Sequence, residues 1–396
     1  MASFNAQLAS FKAKVASAGS SAASAGSSDS SSASAGSGRD PGGPSSSKKS
    51  RVDSSPPPPR PLPPPVIKDR KDLTVDLSFM VIGAQKAGTT WVHEMLSRHP
   101  AFHLPTNVKE LHFFDWHRKK GLGWYSREFR RPGVTSTATS TSTASSSASS
   151  APTQFMGEVT PCYAALSSSR ISEIRALFPS LRVVFFARPI PSRAWSAVMM
   201  ELRNEVHNLK AGEFASSNEV YDRLDMCDPE KKTDEYFIGR ITHKDHMDRS
   251  DYGSAIKRWL LYYPPESIGI FEFDRIKTDP KGLLRDVLTF ISAGRPMPEP
   301  DFFERIGDEV LGTKFNAKVE KVDKDAKKGG AAAEEEPAAE EGMTEGGGGP
   351  GTKKKEDPEL AGVRPSLRTF MDKHFEPYTA DFNKLLEELG YEWRLT

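Results

Sequence analysis

Apolar residues along the chain gather into three short runs, and each run gives way to a helical period. Leu77 to Ile82 (LSFMVI) is mostly apolar and ends at Gly83. A run of that length predicts a strand buried on both faces, as in a parallel sheet. Thr89 to Arg98 then places Val92, Met95 and Leu96 on one helical side, and Pro100 stops the helix. The unit repeats: Leu181 to Ala187 (LRVVFFA) reads as a strand and Arg188 to Pro191 as a turn. A helix follows, carrying Ala194, Trp195, Val198, Met199 and Leu202, with Pro191 suited to its first turn. Ile268 to Phe273 (IGIFEF) is the third strand, and a helix is expected over Gly282 to Ile291. Leu360 to Thr396 returns to helical spacing through Leu367, Phe370, Met371, Phe375, Phe382, Leu385, Leu386 and Leu389. It ends in an aromatic pair, Tyr391 and Trp393, expected to dock on the core. Strands alternating with helices predict an α/β class domain with a mainly parallel central sheet flanked by helices.

The polar stretches divide the chain. Phe4, Leu8, Phe11 and Val15 form one face of a short helix, followed by a Ser/Ala/Gly-rich run without acids until Asp29. That composition suits a targeting segment or a disordered tail. Ser17 to Ser55 lacks the apolar surface to offset the entropy of ordering. Pro56 to Pro65 (PPPPRPLPPP) is polyproline II material, read as a stiff spacer, with an SH3- or WW-type contact as the other reading. Residues 1–71 are thus expected to be a disordered region and 72–396 the folded domain. Two inserts, 133–153 (Ser/Thr/Ala) and 318–357 (Gly/Ala/Glu/Lys), are expected to loop from its surface as disordered segments.

Composition narrows the function. Of 396 residues, 54 are basic and 53 acidic, a formal charge of +1. That balance excludes a surface built to coat nucleic acid, though not a local basic cleft. Two cysteines, Cys162 and Cys227, exclude a disulfide scaffold and a four-cysteine zinc site. No apolar run approaches the roughly 20 residues that cross a bilayer. The expectation is a soluble protein of the cytoplasm or an organelle.

The chemistry starts at Gly83-Ala-Gln-Lys-Ala-Gly-Thr-Thr90, between a buried strand and a helix start. Backbone N–H groups and the helix dipole favour an anion in that context. Gly83 and Gly88 keep the glycine spacing of the NTPase phosphate loop, so the domain reads as P-loop-like. The lysine, however, is Lys86 inside the loop, and Thr89 stands at the usual lysine position. A lysine so placed suits a ligand shorter than a triphosphate. After the second strand, Arg188 and Ser196 lie eight residues apart, at a strand end and on the following helix. A guanidinium fork and a hydroxyl there can converge on one phosphate.

These residues carry a family resemblance. QKAGTTW resembles the 5′-phosphosulfate loop of sulfotransferases, which use 3′-phosphoadenosine 5′-phosphosulfate (PAPS). Arg188-Pro-Ile-Pro-Ser-Arg-Ala-Trp-Ser196 resembles the 3′-phosphate motif R-x-P-x-x-R-A-x-S, with Ile190 where that motif has proline. Further stretches resemble the heparan sulfate glucosaminyl 3-O- and N-sulfotransferase branch. They are Lys109-Glu-Leu-His-Phe-Phe-Asp115, Lys120-Gly-Leu-Gly-Trp-Tyr125, Glu158-Val-Thr-Pro-Cys-Tyr163 and Tyr252 to Pro264.

The resemblance implies a PAPS-dependent sulfuryl transfer, without a metal, to a hydroxyl or amino group of a carbohydrate acceptor. Lys86 would stabilise charge on the leaving phosphate. Ala87, Gly88, Thr89, Thr90 and Trp91 would hold the 5′-phosphate, and Arg188 and Ser196 the 3′-phosphate. Glu110 would be the general base, supported by His112 and Asp115, a role that a carboxylate can serve if partial burial raises its pKa toward neutrality. Val159 stands where the branch has a lysine, so a cation is missing there or supplied from elsewhere. Trp124 and Tyr125 are candidates either for lining the acceptor cleft or for packing in the core, and Lys353 to Lys355 a basic run near the 3′-phosphate or a solvated one. Golgi members of the branch carry a membrane anchor, which makes a Golgi placement less supported. The alternatives are a nucleotide-type kinase of the same fold and a catalytically degenerate glycan-binding member.

Overall fold

The computed structural model describes residues 64–130, 155–208, 227–295, 302–312, 358–360 and 362–396. The expectations for the N-terminal region up to residue 63 and for the inserts 133–153 and 318–357 lie outside the described residues. The same holds for Lys353 to Lys355. Residues 64–71 are described, and there Asp69 pairs with Arg118 at 2.7 Å and a turn forms over Arg70–Asp72. The chain divides into two compact units, Pro61–Glu201 with Thr233–Thr396, and Met1–Arg60 with Leu202–Lys232. In the latter, Asp228 caps the turn Pro229–Lys231 by accepting from the Glu230 N–H at 2.9 Å. The candidate site lies in the former.

Its centre is a five-stranded parallel sheet in the order β2-β3-β1-β4-β5. The strands are β1 (Phe79–Gly83), β2 (Phe102–His103), β3 (Phe155–Val159), β4 (Arg182–Ala187) and β5 (Ile268–Glu272). β1 and β4 are buried almost end to end, as their continuous apolar runs require. α1 (Thr89–Arg98) follows β1, and α2 (Ile190–Asn208) follows β4. α3 (Tyr252–Leu260), α4 (Pro280–Ser292) and α5 (Pro365–Glu388) are further helices of the domain. α4 starts two residues before the expected Gly282, because Asp279 caps it by accepting from the Gly282 N–H at 2.9 Å and Pro280 suits its first turn.

β2 and β3 are absent from the hydrophobic pattern. β2 has two residues. β3 reads FMGEV, with a glycine and an acid in its middle. Gly157 pairs with Phe79, and a Cβ there would stand 2.4 Å from the Phe79 ring. The glycine is room for the neighbouring aromatic and does not break the strand. Tyr391 docks on β5: its hydroxyl accepts from the Ile270 N–H at 2.9 Å and so satisfies an edge-strand donor. Among the described residues no helix is long and apolar enough to cross a membrane.

From β1 the chain passes through α1 and β2 to β3 on one side of the sheet. β4 and β5 lie on the other. The carboxyl ends of β1 and β4 therefore flank the point where strand order reverses, the crevice in which such sheets hold ligands.

Candidate active site

The loop after β1 is shaped by two glycines. A Cβ on Gly83 would lie 3.0 Å from the Ala164 Cβ, and one on Gly88 would lie 2.2 Å from Ile276 Cδ1. Gly88 also has φ +77°, a left-handed conformation that strains other residues. Lys86 lies in the left-handed region too, at φ 70°. α1 starts at Thr89 with no side-chain cap and no acid in its first turn. A helix start of this kind is electrostatically suited to an anion. Ala87, Thr89 and Trp91 are buried, and Lys86, Gly88 and Thr90 half-buried. The Trp91 indole donates to the Leu311 carbonyl at 2.9 Å, so its side chain anchors the helix while its backbone belongs to the loop.

Arg188, at the end of β4, joins this loop. Nη1 donates to the Lys86 carbonyl at 2.6 Å, Nε to Ser192 Oγ at 3.2 Å, and Nη2 pairs with Glu359. The Tyr252 hydroxyl donates to the Arg188 carbonyl at 3.1 Å. The hydroxyl that touches Arg188 is therefore Ser192. Ser196, half-buried, sits one turn further along α2. Arg193, within the same motif, is fully buried and donates to Ser250 Oγ at 2.6 Å.

A second loop carries titratable groups in a row. Lys109 Nζ is 2.6 Å from Glu110 Oε1 and 3.5 Å from Thr89 Oγ1. Glu110 Oε2 is 3.3 Å from His112 Nε2, and His112 Nδ1 is 2.7 Å from Asp115 Oδ2. Trp116 lies flat on the His112 ring, centroids 3.8 Å apart and planes 6° from parallel, yet stays 65% exposed. The structure thus brings Lys86, Arg188 and the backbone of Ala87 to Trp91 into one group. Glu110, His112 and Asp115 form a second, and Lys109 bridges the two.

Electrostatics reverse one expectation. Burial pushes the Glu110 carboxyl up, but the His112 hydrogen bond and the Lys109 ammonium outweigh it and hold the pKa at about 2. Burial pushes His112 down, but Asp115 and Glu110 raise it to about 9. At neutral pH the row is therefore cation, anion, cation, anion. His112, Asp115 and Cys162 offer donor atoms within 4.8 Å of one another. The His112 imidazole would have to give up its proton to ligate a metal there.

The row is positioned from beneath. His112, at φ 48°, starts a π-helical turn over Phe113–His117. The Tyr163 hydroxyl accepts from the Phe113 and Phe114 N–H groups at 2.8 and 3.2 Å. It faces Glu158 Oε2 at 3.4 Å. Glu158 is fully buried and also receives Tyr125 Oη at 2.5 Å and Thr160 Oγ1 at 3.0 Å. Burial pushes its carboxyl up to about 7. Glu158 and Lys109 both stand in the motifs quoted above, and neither is among the residues expected to act there.

Tyr125 is fully buried on Glu158 and so supports the loop from inside. Trp124 is half-buried under the Lys120 ammonium, 4.2 Å from its ring. The exposed aromatic at the cleft is Trp116, which with Asp115, Cys162, Asp248 and Arg249 lines a cavity of about 160 Å³. Cys162 is half-buried and burial pushes its thiol up, which suits packing. Val159 is fully buried, and Lys109 is a cation beside Glu110 from another segment.

Residues 76–306 match the family model of the sulfotransferase domain. The human bifunctional heparan sulfate N-deacetylase/N-sulfotransferase 2 is 26% identical over 220 residues, covering 54% of this chain and 22% of that protein. The mouse heparan sulfate glucosamine 3-O-sulfotransferase 5 is 25% identical over 215 residues, covering 54% of this chain and 52% of that protein. A solved sulfotransferase from Alicyclobacillus acidocaldarius aligns at TM-score 0.44 and 16% identity, over 79% of this chain and 97% of its own. The chain thus matches between about a fifth and a half of these curated relatives' length. The family match spans more than half of the chain and takes in the Gly83–Thr90 loop, the Lys109–Asp115 row and Arg188 together. By that match this protein belongs to the sulfotransferase family.

Proposed function

We propose that the protein transfers a sulfuryl group from PAPS to a hydroxyl or amino group of a carbohydrate acceptor. The observation that carries this reading is the bridge made by Lys109, which links Thr89 of the anion-binding loop to Glu110. A donor on the loop and an acceptor at the carboxylate would then be held side by side, and positioning supplies much of the effect in transfers of this kind. The uncapped N-terminus of α1 and the Arg188 fork suit a nucleotide bearing two separate phosphate groups.

When bound, PAPS supplies an activated sulfuryl group on a phosphate leaving group. Thr89, Thr90 and the backbone from Ala87 to Trp91 would hold its 5′-phosphate, and Arg188 with Ser196 its 3′-phosphate. Lys86 would stabilise negative charge on the leaving phosphate. Glu110 takes the acceptor proton at its carboxylate. His112, protonated and braced by Asp115, holds that carboxylate in place. Lys109 supplies the cation that Val159 cannot. An anion beside Thr89 would compete for Lys109 and so weaken one of the two contacts that hold the Glu110 pKa down, the His112 hydrogen bond being the other.

Transfer of labelled sulfate from PAPS to a panel of glycan and amine acceptors tests the reading, with Glu110→Gln as control. Label on an acceptor with wild type and none with the variant supports it. Tight binding of adenosine 3′,5′-bisphosphate with no turnover on any acceptor would favour a glycan-binding member that has lost catalysis.

A further inference from the structure

Two cations from separate segments converge on one carboxylate. Glu359 Oε2 accepts from Arg188 Nη2, and Glu359 Oε1 accepts from Lys277 Nζ. Both cations share an aromatic floor: the Arg188 guanidinium carbon is 4.9 Å from the Phe273 ring centroid, and the Lys277 ammonium 5.5 Å. The Arg188 side chain is only 9% exposed and that of Glu359 24%. The seat adjoins the phosphate loop directly, since Arg188 also holds the Lys86 carbonyl and Gly88 packs against Phe273 and Ile276. An Arg, a Lys and a ring face, gathered at a strand end, form a seat for one anion with at least two oxygens.

The occupant of that seat comes from the short turn Pro358–Leu360, ahead of α5. It contacts the same Arg188 to which the proposed function assigns the 3′-phosphate. One guanidinium edge cannot serve both anions at once. A phosphate brings more charge and a third oxygen, so it has the advantage over a carboxylate at a two-cation seat.

We infer that Glu359 is a latch on the nucleotide site: its carboxylate fills the Arg188–Lys277 seat, and the 3′-phosphate of the incoming nucleotide displaces it. Lys277 is then a binding residue for that phosphate, and the pair sets the preference for nucleotides that carry one. This inference rests on the sulfotransferase reading. A latch closed nine-tenths of the time weakens the apparent affinity about tenfold, because the competent fraction is about a tenth.

Calorimetric titration of the full chain tests it with two probes. Adenosine 3′,5′-bisphosphate carries the 3′-phosphate, and adenosine 5′-phosphosulfate lacks it. Glu359→Gln is expected to bind the bisphosphate about tenfold tighter, and Lys277→Met about tenfold weaker. Both variants are expected to leave the 5′-phosphosulfate affinity within about twofold, and thermal midpoints verify that they fold. Unchanged or weaker bisphosphate binding in Glu359→Gln, with wild type binding normally, overturns the latch. An equal shift for both probes also overturns it, because a structural effect would not single out the 3′-phosphate. Failure of wild type and Glu359→Gln alike to bind the bisphosphate would sink the PAPS reading itself.

Discussion

The loop from Gly83 to Thr90 and the row from Lys109 to Asp115 meet at Thr89 and Lys109, 3.5 Å apart, but different forces hold them. The first is a backbone construction. Its shape depends on glycine conformation, a helix terminus and the ends of two buried strands. The second is a chain of alternating charges on a loop, and each member's protonation depends on its neighbours. The phosphate side should therefore tolerate changes of pH and fail when geometry changes. The acid–base side should keep its shape under modest substitution and fail when charge changes.

The largest expected effect separates the two sides. Glu110→Gln keeps the shape of the row and removes its base, so kcat should fall by about 10²–10⁴-fold. Affinity for adenosine 3′,5′-bisphosphate should stay within about twofold. Parallel steady-state kinetics and calorimetry check this, and a comparable loss of nucleotide affinity would erase the distinction between the two sides. Arg188→Ala is the mirror experiment. It removes a buried, hydrogen-bonded cation, a change that costs about 2–5 kcal/mol in comparable pairs, and it should appear as lost nucleotide binding.

The pH dependence sharpens the comparison. His112 has a folded pKa near 9 against an ordinary 6.5. Its contribution to stability is therefore full below pH 6.5 and is lost as pH rises through 9. Glu110 runs the other way. With a folded value near 2 against 4.5, its contribution is present above pH 4.5 and is lost as pH falls toward 2. The stability difference between wild type and His112→Asn should be roughly 1.5–3 kcal/mol below pH 6.5. It should shrink between pH 6.5 and 9, as read by denaturant unfolding. A difference that is flat across that window would show that His112 is not held protonated. The smallest effect is at the support layer. Tyr163→Phe leaves two buried N–H groups, of Phe113 and Phe114, without their acceptor and should cost about 1–3 kcal/mol of stability. The nucleotide affinity should not move.

The same division explains what was legible in the sequence. β1, β4 and β5 announce themselves as apolar runs, and α1 by its period and Pro100, because burial on both faces leaves a one-dimensional mark. β3 leaves none, since Gly157 answers to the Phe79 ring on the neighbouring strand. The loop lysine and the Arg188 motif are visible because spacing along the chain sets their geometry. Glu110, His112 and Asp115 were recognised by resemblance, but their charge states were not. Burial alone argues for a raised Glu110, and only the placement of Lys109 and His112 reverses it. Trp116 went unassigned for a similar reason: its stacking on His112 depends on a π-helical turn that periodicity does not encode.

The central claim is that the Gly83–Thr90 loop and Arg188 together hold a nucleotide with phosphates at both ends of its ribose. The most direct measurement is the thermal midpoint of the full chain against adenosine 3′,5′-bisphosphate, in wild type, Lys86→Ala and Arg188→Ala. A ligand that binds only the folded state adds about 2.7 kcal/mol at a hundredfold excess over its Kd. The account predicts a clear rise in wild type that is lost in both variants. A folded wild-type protein whose midpoint does not move at millimolar ligand, or moves equally in all three proteins, would contradict it.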